Sequence, residues 1–144
     1  MKIITLLAVL IISFAGFTYA KTEAEKECRN KAGKDKFIKI DLANILCDGA
    51  TSLLPLDCFD EAHGYTAPKA ILCSGAKDAA PLACFEESVV AIGGSNLAGA
   101  ILCSGVTVKN WIERVECYKN ARGRHNDAAI GCAEKGRRWV KYLY

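Results

Sequence analysis

The sequence predicts an all-α fold: tandem helical hairpins, stapled by disulfides, forming a short solenoid or a compact bundle. Three observations predict it. Eight cysteines between positions 28 and 132 alternate strictly between two sequence contexts. One context closes on glycine, as helix C-termini do, and the other opens on proline, as helix N-termini do. No stretch carries the two-residue alternation of a half-buried strand.

The chain begins Met1-Lys2 and runs apolar from Ile3 to Phe17, broken by Thr5, Ser13 and Gly16, with small residues at Thr18 and Ala20. A charged start, an apolar stretch and small residues before a cleavage point make residues 1–20 a secretory signal peptide, cut after Ala20. An uncleaved anchor needs about 20 continuous apolar residues. Gly93-Gly94-Ser95-Asn96 interrupts the longest apolar region that remains, so no transmembrane segment is expected after cleavage. Residues 21–144 are then one exported domain, extracellular or periplasmic, long enough to bury about two thirds of its unfolded surface.

Within that domain, Ile45-Leu46-Cys47-Asp48-Gly49-Ala50 recurs as Ile71-Leu72-Cys73-Ser74-Gly75-Ala76 and as Ile101-Leu102-Cys103-Ser104-Gly105-Val106, with a weaker copy at Ala129-Ile130-Gly131-Cys132. Between these copies stands a second motif. Pro55-Leu56-Asp57-Cys58-Phe59-Asp60-Glu61-Ala62 matches Pro81-Leu82-Ala83-Cys84-Phe85-Glu86-Glu87-Ser88, and looser copies run Glu27-Cys28 to Ala32 and Glu116-Cys117 to Ala121. Pro55 and Pro81 suit a first helical turn, where the missing N–H would be unpaired anyway. Asp60, Glu61, Glu86 and Glu87 are expected early in these helices, at the positive end of the dipole. Gly49, Gly75 and Gly105 stand two after a cysteine, where a left-handed residue closes a helix. The expected units are 22–49, 54–76, 80–106 and 112–136, each a hairpin of helices about nine to twelve residues long, too short to persist alone. One cysteine lies near the start of the first helix and one near the end of the second, so all eight sulfurs are expected along one edge. A basic, aromatic segment follows the last unit.

An even number of cysteines in an exported chain points to disulfides. Zinc sites bring ligands together at C-x2-4-C spacing, and here the nearest pairs, Cys47/Cys58 and Cys73/Cys84, are far wider. No metal and no cofactor is expected. Two pairings have a geometric basis. Bonds within hairpins give Cys28–Cys47, Cys58–Cys73, Cys84–Cys103 and Cys117–Cys132. Bonds across the following turn give Cys47–Cys58, Cys73–Cys84 and Cys103–Cys117, and strand Cys28 and Cys132 at opposite ends. The first scheme is favoured because it leaves none over.

The pattern Leu-Cys-x-Gly-Ala followed by Pro-x-x-Cys-Phe-x-x-Ala resembles a short cysteine-containing helical repeat of exported proteins, many of them bacterial. The resemblance covers Leu46 to Ala62 and Leu72 to Ser88, and the flanking units loosely. It implies tandem helical hairpins and carries over no catalytic residue. The third unit departs from it, with Trp111 to Arg114 where proline is expected.

Little in the sequence proposes catalysis. His63 and His125 are read as solvated turn residues. Ser74-Gly75 and Ser104-Gly105 are helix ends and not nucleophile elbows, which need G-x-S-x-G between a strand and a helix. Asp60-Glu61 and Glu86-Glu87 are adjacent residues pointing about 100° apart on a helix, hence surface charge and not a carboxylate pair. Gly93-Gly94 lacks the Lys-Ser/Thr of a phosphate loop.

Charge is uneven. Residues 21–108 hold nine Lys and Arg against twelve Asp and Glu, a net of −3, whereas residues 109–144 hold nine against four, a net of +5. Arg122, Arg124, Lys135, Arg137, Arg138 and Lys141, with Trp139, are candidates for docking on an anionic surface such as lipid head groups or polysaccharide. The competing reading, which is favoured, is that this segment caps the last repeat. No specific recognition of nucleic acid is expected. The function expected is a secreted, non-catalytic interaction module of unidentified partner. The alternative is a cationic, surface-active or toxin-like protein acting through its C-terminal end, and a small hydrolase has least support.

Overall fold

The computed structural model describes residues 21–92, 96–121 and 125–133. Residues 1–20, 93–95, 122–124 and 134–144 lie outside them. Eight helices follow in order among the described residues: α1 (Glu23–Ala32), α2 (Ile40–Leu46), α3 (Leu54–Glu61), α4 (Thr66–Leu72), α5 (Ala80–Ile92), α6 (Asn96–Cys103), α7 (Trp111–Asn120) and α8 (His125–Cys132). No strand occurs among those residues. The all-α expectation holds.

Local chemistry sets the helix ends. Thr22 caps α1, its hydroxyl accepting from the Glu25 N–H at 3.1 Å, the arrangement that satisfies an otherwise unpaired donor. The same hydroxyl donates to the Ala50 carbonyl at 2.8 Å, tying the start of α1 to the segment after α2. Pro55 and Pro81 are the second residues of α3 and α5, inside the first turn as expected. Before α5, the Asp78 carboxylate accepts from the Ala80 N–H at 2.8 Å. Gly49, Gly75 and Gly105 have φ of 70°, 62° and 65°, so α2, α4 and α6 close on left-handed glycines. After each of them the next N–H returns to the cysteine carbonyl, from Ala50, Ala76 and Val106.

Packing follows the alternation. Each odd helix packs on the even helix that follows it, and α2, α4, α6 and α8 pack in succession; α1 also meets α3, and α5 meets α7. The even helices therefore form the core. Ala43, Ile45 and Leu46 of α2, Ala70, Ile71 and Leu72 of α4, and Ala98, Ala100, Ile101 and Leu102 of α6 are all buried. In α6 burial runs unbroken from Ala98 to Cys103 because other helices cover it on several sides.

Four disulfides staple the hairpins: Cys28–Cys47, Cys58–Cys73, Cys84–Cys103 and Cys117–Cys132. This is the within-hairpin scheme. The loops span 19, 15, 19 and 15 residues, and closing a loop of about that size removes about 3 kcal/mol of unfolded-chain entropy.

Five expectations need correction. First, Cys28, Cys58, Cys84 and Cys117 sit inside their helices and not at the starts, because an interior position places sulfur on the face turned to the partner helix. Second, α3, α6 and α8 have eight residues and α5 has thirteen, against the nine to twelve expected. Third, Asp60 and Glu61 are the last two residues of α3, and Glu86 and Glu87 lie in the middle of α5. The reason is length. Ala62 turns extended at ψ 139° and stops α3 after eight residues, while α5 runs for thirteen. Fourth, His125 opens α8 and is not in a turn. Fifth, α2 and α4 have only seven residues.

Candidate functional site

The glycine-closed ends of α2, α4 and α6 line one groove. The C-termini of α2 and α4 are held together by hydrogen bonds that run between hairpins. The Ser74 hydroxyl donates to the Ile45 carbonyl at 2.7 Å, and the Gly75 N–H donates to the Leu46 carbonyl at 3.2 Å. Two carbonyls at the end of α2 thus accept from the next hairpin, that of Ile45 in addition to the Asp48 N–H at 3.3 Å. The end of α6 is satisfied differently. Arg114 of α7, which is buried, donates from Nη1 to the Ser104 carbonyl at 3.0 Å and the Leu102 carbonyl at 3.4 Å. With these ends fixed, the segments after the three helices lie side by side.

They enclose a groove of about 610 Å³, lined by Asp48, Gly49 and Thr51, by Ser74, Gly75 and Lys77, and by Ser104 to Thr107. Lys21, Glu25 and Arg29 complete it from the α1 side. At Gly49 and Gly105 no protein atom lies within 4 Å of where a Cβ would stand, so both face open space. Gly75 is different: a Cβ there would meet the Asp48 carbonyl oxygen at 2.9 Å. It is closed in by the neighbouring hairpin.

The charges are placed unequally. Glu25 is buried, and its carboxylate takes the Arg29 guanidinium in an ion pair one helical turn away. Arg29 also donates to the Asn44 side chain, which joins α1 to α2. Lys21 and Lys77 are exposed, and Asp48 is partly buried. Among the described residues no aromatic ring and no histidine lines the groove. Among the described residues no three His, Cys, Asp or Glu side chains come together as a metal site would require.

Of the residues singled out in the sequence, the structure joins the eight cysteines in pairs. It places Ser74 and Ser104 in the groove wall as helix-end residues, and leaves His63 exposed between α3 and α4. Arg122, Arg124, Lys135, Arg137, Arg138, Trp139 and Lys141 lie outside the described residues. Sequence reasoning passed over Thr22, Glu25, Arg29 and Lys77. The Thr22-x-x-Glu25 spacing of a capping box marks the first two, whereas Arg29 and Lys77 carry no local signal. Comparison with family models, with curated proteins and with solved structures returns no match.

Proposed function

We propose that the chain is a secreted, non-catalytic interaction module, its four hairpins stacked as a short solenoid, with the groove over α2, α4 and α6 as its binding face. One observation carries this reading. Three equivalent glycine-closed helix ends, from three different hairpins, form a single concave wall. Stacked repeats generate concave surfaces of this kind and commonly use them for binding. Four disulfides fit an oxidising compartment outside the cytoplasm, and no described helix is long and apolar enough to cross a membrane. Export through residues 1–20, and membership of the cysteine-containing hairpin repeats that the motifs resemble, belong to the same proposal.

The test is site-specific photo-crosslinking in the native secretion environment. A crosslinker at Thr51, in the groove, should capture a discrete partner that one at the exposed Lys39, at the N-terminal end of α2, does not. Equal labelling from both positions, or none from Thr51, would contradict the groove as the binding face. A second reading rests on the net charge of +5 over residues 109–144: a cationic protein acting on an anionic surface through its C-terminal end.

A further inference from the structure

We infer that the groove takes an extended peptide segment bearing carboxylate side chains, a ligand class that rests on the groove being the binding face. The open part of the wall is small and polar, formed by the exposed Gly49 and Gly105 backbones and the Thr51 hydroxyl, whereas Ser74 and Ser104 are buried and Gly75 is closed in. An extended peptide presents N–H and C=O groups along its length, and each must find a partner when it leaves water. Exposed main chain at Gly49 and Gly105 and the Thr51 hydroxyl provide such partners and no bulk to exclude the incoming chain. The open space at Gly49 and Gly105 is where that chain fits.

Charge selects among peptides. The Glu25–Arg29 pair is internally neutralised. Among the described lining residues the exposed charged groups are the ammoniums of Lys21 and Lys77, on the α1 side and after α4, with Asp48 half-buried. Two separated cations suit two carboxylates on one chain. They do not suit a phosphodiester, whose dense charge calls for a run of cations. An oligosaccharide is disfavoured too, because among the described residues no aromatic ring lines the groove as a stacking platform.

The experiment is fluorescence anisotropy on the oxidised protein with labelled octapeptides of Gly and Ser carrying two Glu, two Lys or no charge. The acidic peptides should bind, and more weakly as salt rises. The double substitution Lys21→Glu with Lys77→Glu should weaken them by about tenfold, the loss of two exposed pairs, and should favour the basic peptides. Thr51→Trp, which fills the groove without altering a glycine, should abolish binding while circular dichroism stays unchanged. Binding of neutral or basic peptides that Thr51→Trp still abolishes would overturn the carboxylate preference and leave the groove as the binding face. Acidic binding that survives Thr51→Trp would overturn both. Absence of binding by any peptide would overturn the peptide class.

Discussion

Gly75 holds the most constrained backbone position of the three helix-closing glycines. Gly49 and Gly105 need a glycine for φ alone, so alanine there should cost about 1–2 kcal/mol, the usual penalty of the left-handed region. Gly75 adds a contact of 2.9 Å from any Cβ to a main-chain oxygen, which cannot swing aside, and Gly75→Ala should cost about 3 kcal/mol by adding overpacking to that strain. Urea unfolding of the three variants checks the order, and equal losses would contradict it. Tyr118 makes a second prediction. Burial pushes its phenol above the ordinary value of 10.0. Its folded pKa is thus above its unfolded one, so its contribution is complete below pH 10 and is lost as pH climbs past that value. In pH-dependent melts the alkaline loss should be smaller in Tyr118→Phe than in wild type. An unchanged alkaline slope would remove Tyr118 as a cause. Thr22 shows what sequence can and cannot reveal at this scale. Its capping of Glu25 is readable from spacing, but its bond to Ala50 needs the fold.

Among the hairpins, the last differs in one respect. Cys117 is exposed and Cys132 only partly buried, whereas the cysteines of the first three hairpins are closed off. Cys58–Cys73 and Cys117–Cys132 close loops of the same length, 15 residues, so loop entropy does not separate them. Access does, because exchange requires a thiolate to reach the sulfur. Limited reduction followed by alkylation should therefore label Cys117 and Cys132 first, and earlier labelling of Cys58 or Cys73 would contradict the burial. Helix ends were legible where a residue dictates them, as Pro55, Pro81 and the three glycines do. They were not legible where tertiary structure decides. Nothing local says that Ala62 stops α3 and strands Asp60 and Glu61 at its negative end. The departure from the repeat pattern at Trp111 to Arg114 also acquires a reason. Arg114 stands near the missing proline and caps α6 with two hydrogen bonds, a role that depends on α7 lying across the end of α6.

For the whole molecule, short helices make stability collective. α2 and α4, at seven residues, are below the length of about 12 residues at which isolated helices become even marginal in water. Reduction of all four disulfides should therefore remove much of the helical circular-dichroism signal, and full retention would show that stacking alone suffices. The alternation of cysteine contexts made the hairpins legible, because each context carries its own helix-end signal. The groove was not legible, since it exists only where the ends of α2, α4 and α6 meet, and no single segment announces it. The C-terminal charge is tested separately. Neutralising Arg137, Arg138 and Lys141 together should weaken adsorption to anionic liposomes and leave the helical signal intact if that end seeks anionic surfaces. Loss of stability in Trp139→Ala without any liposome binding would assign it to capping.

The central claim is that each hairpin is closed by its own disulfide, since this fixes the order in which helices stack and hence the groove. Peptide mapping of the oxidised, alkylated protein tests it directly, provided cleavage is made at both Lys and Asp, because Asp48 and Asp57 separate Cys47 from Cys58 where no Lys or Arg does. The map should link Cys28 to Cys47, Cys58 to Cys73, Cys84 to Cys103 and Cys117 to Cys132, with no free thiol. A peptide joining Cys73 to Cys84, or Cys47 to Cys58, would contradict the hairpin-stapled fold.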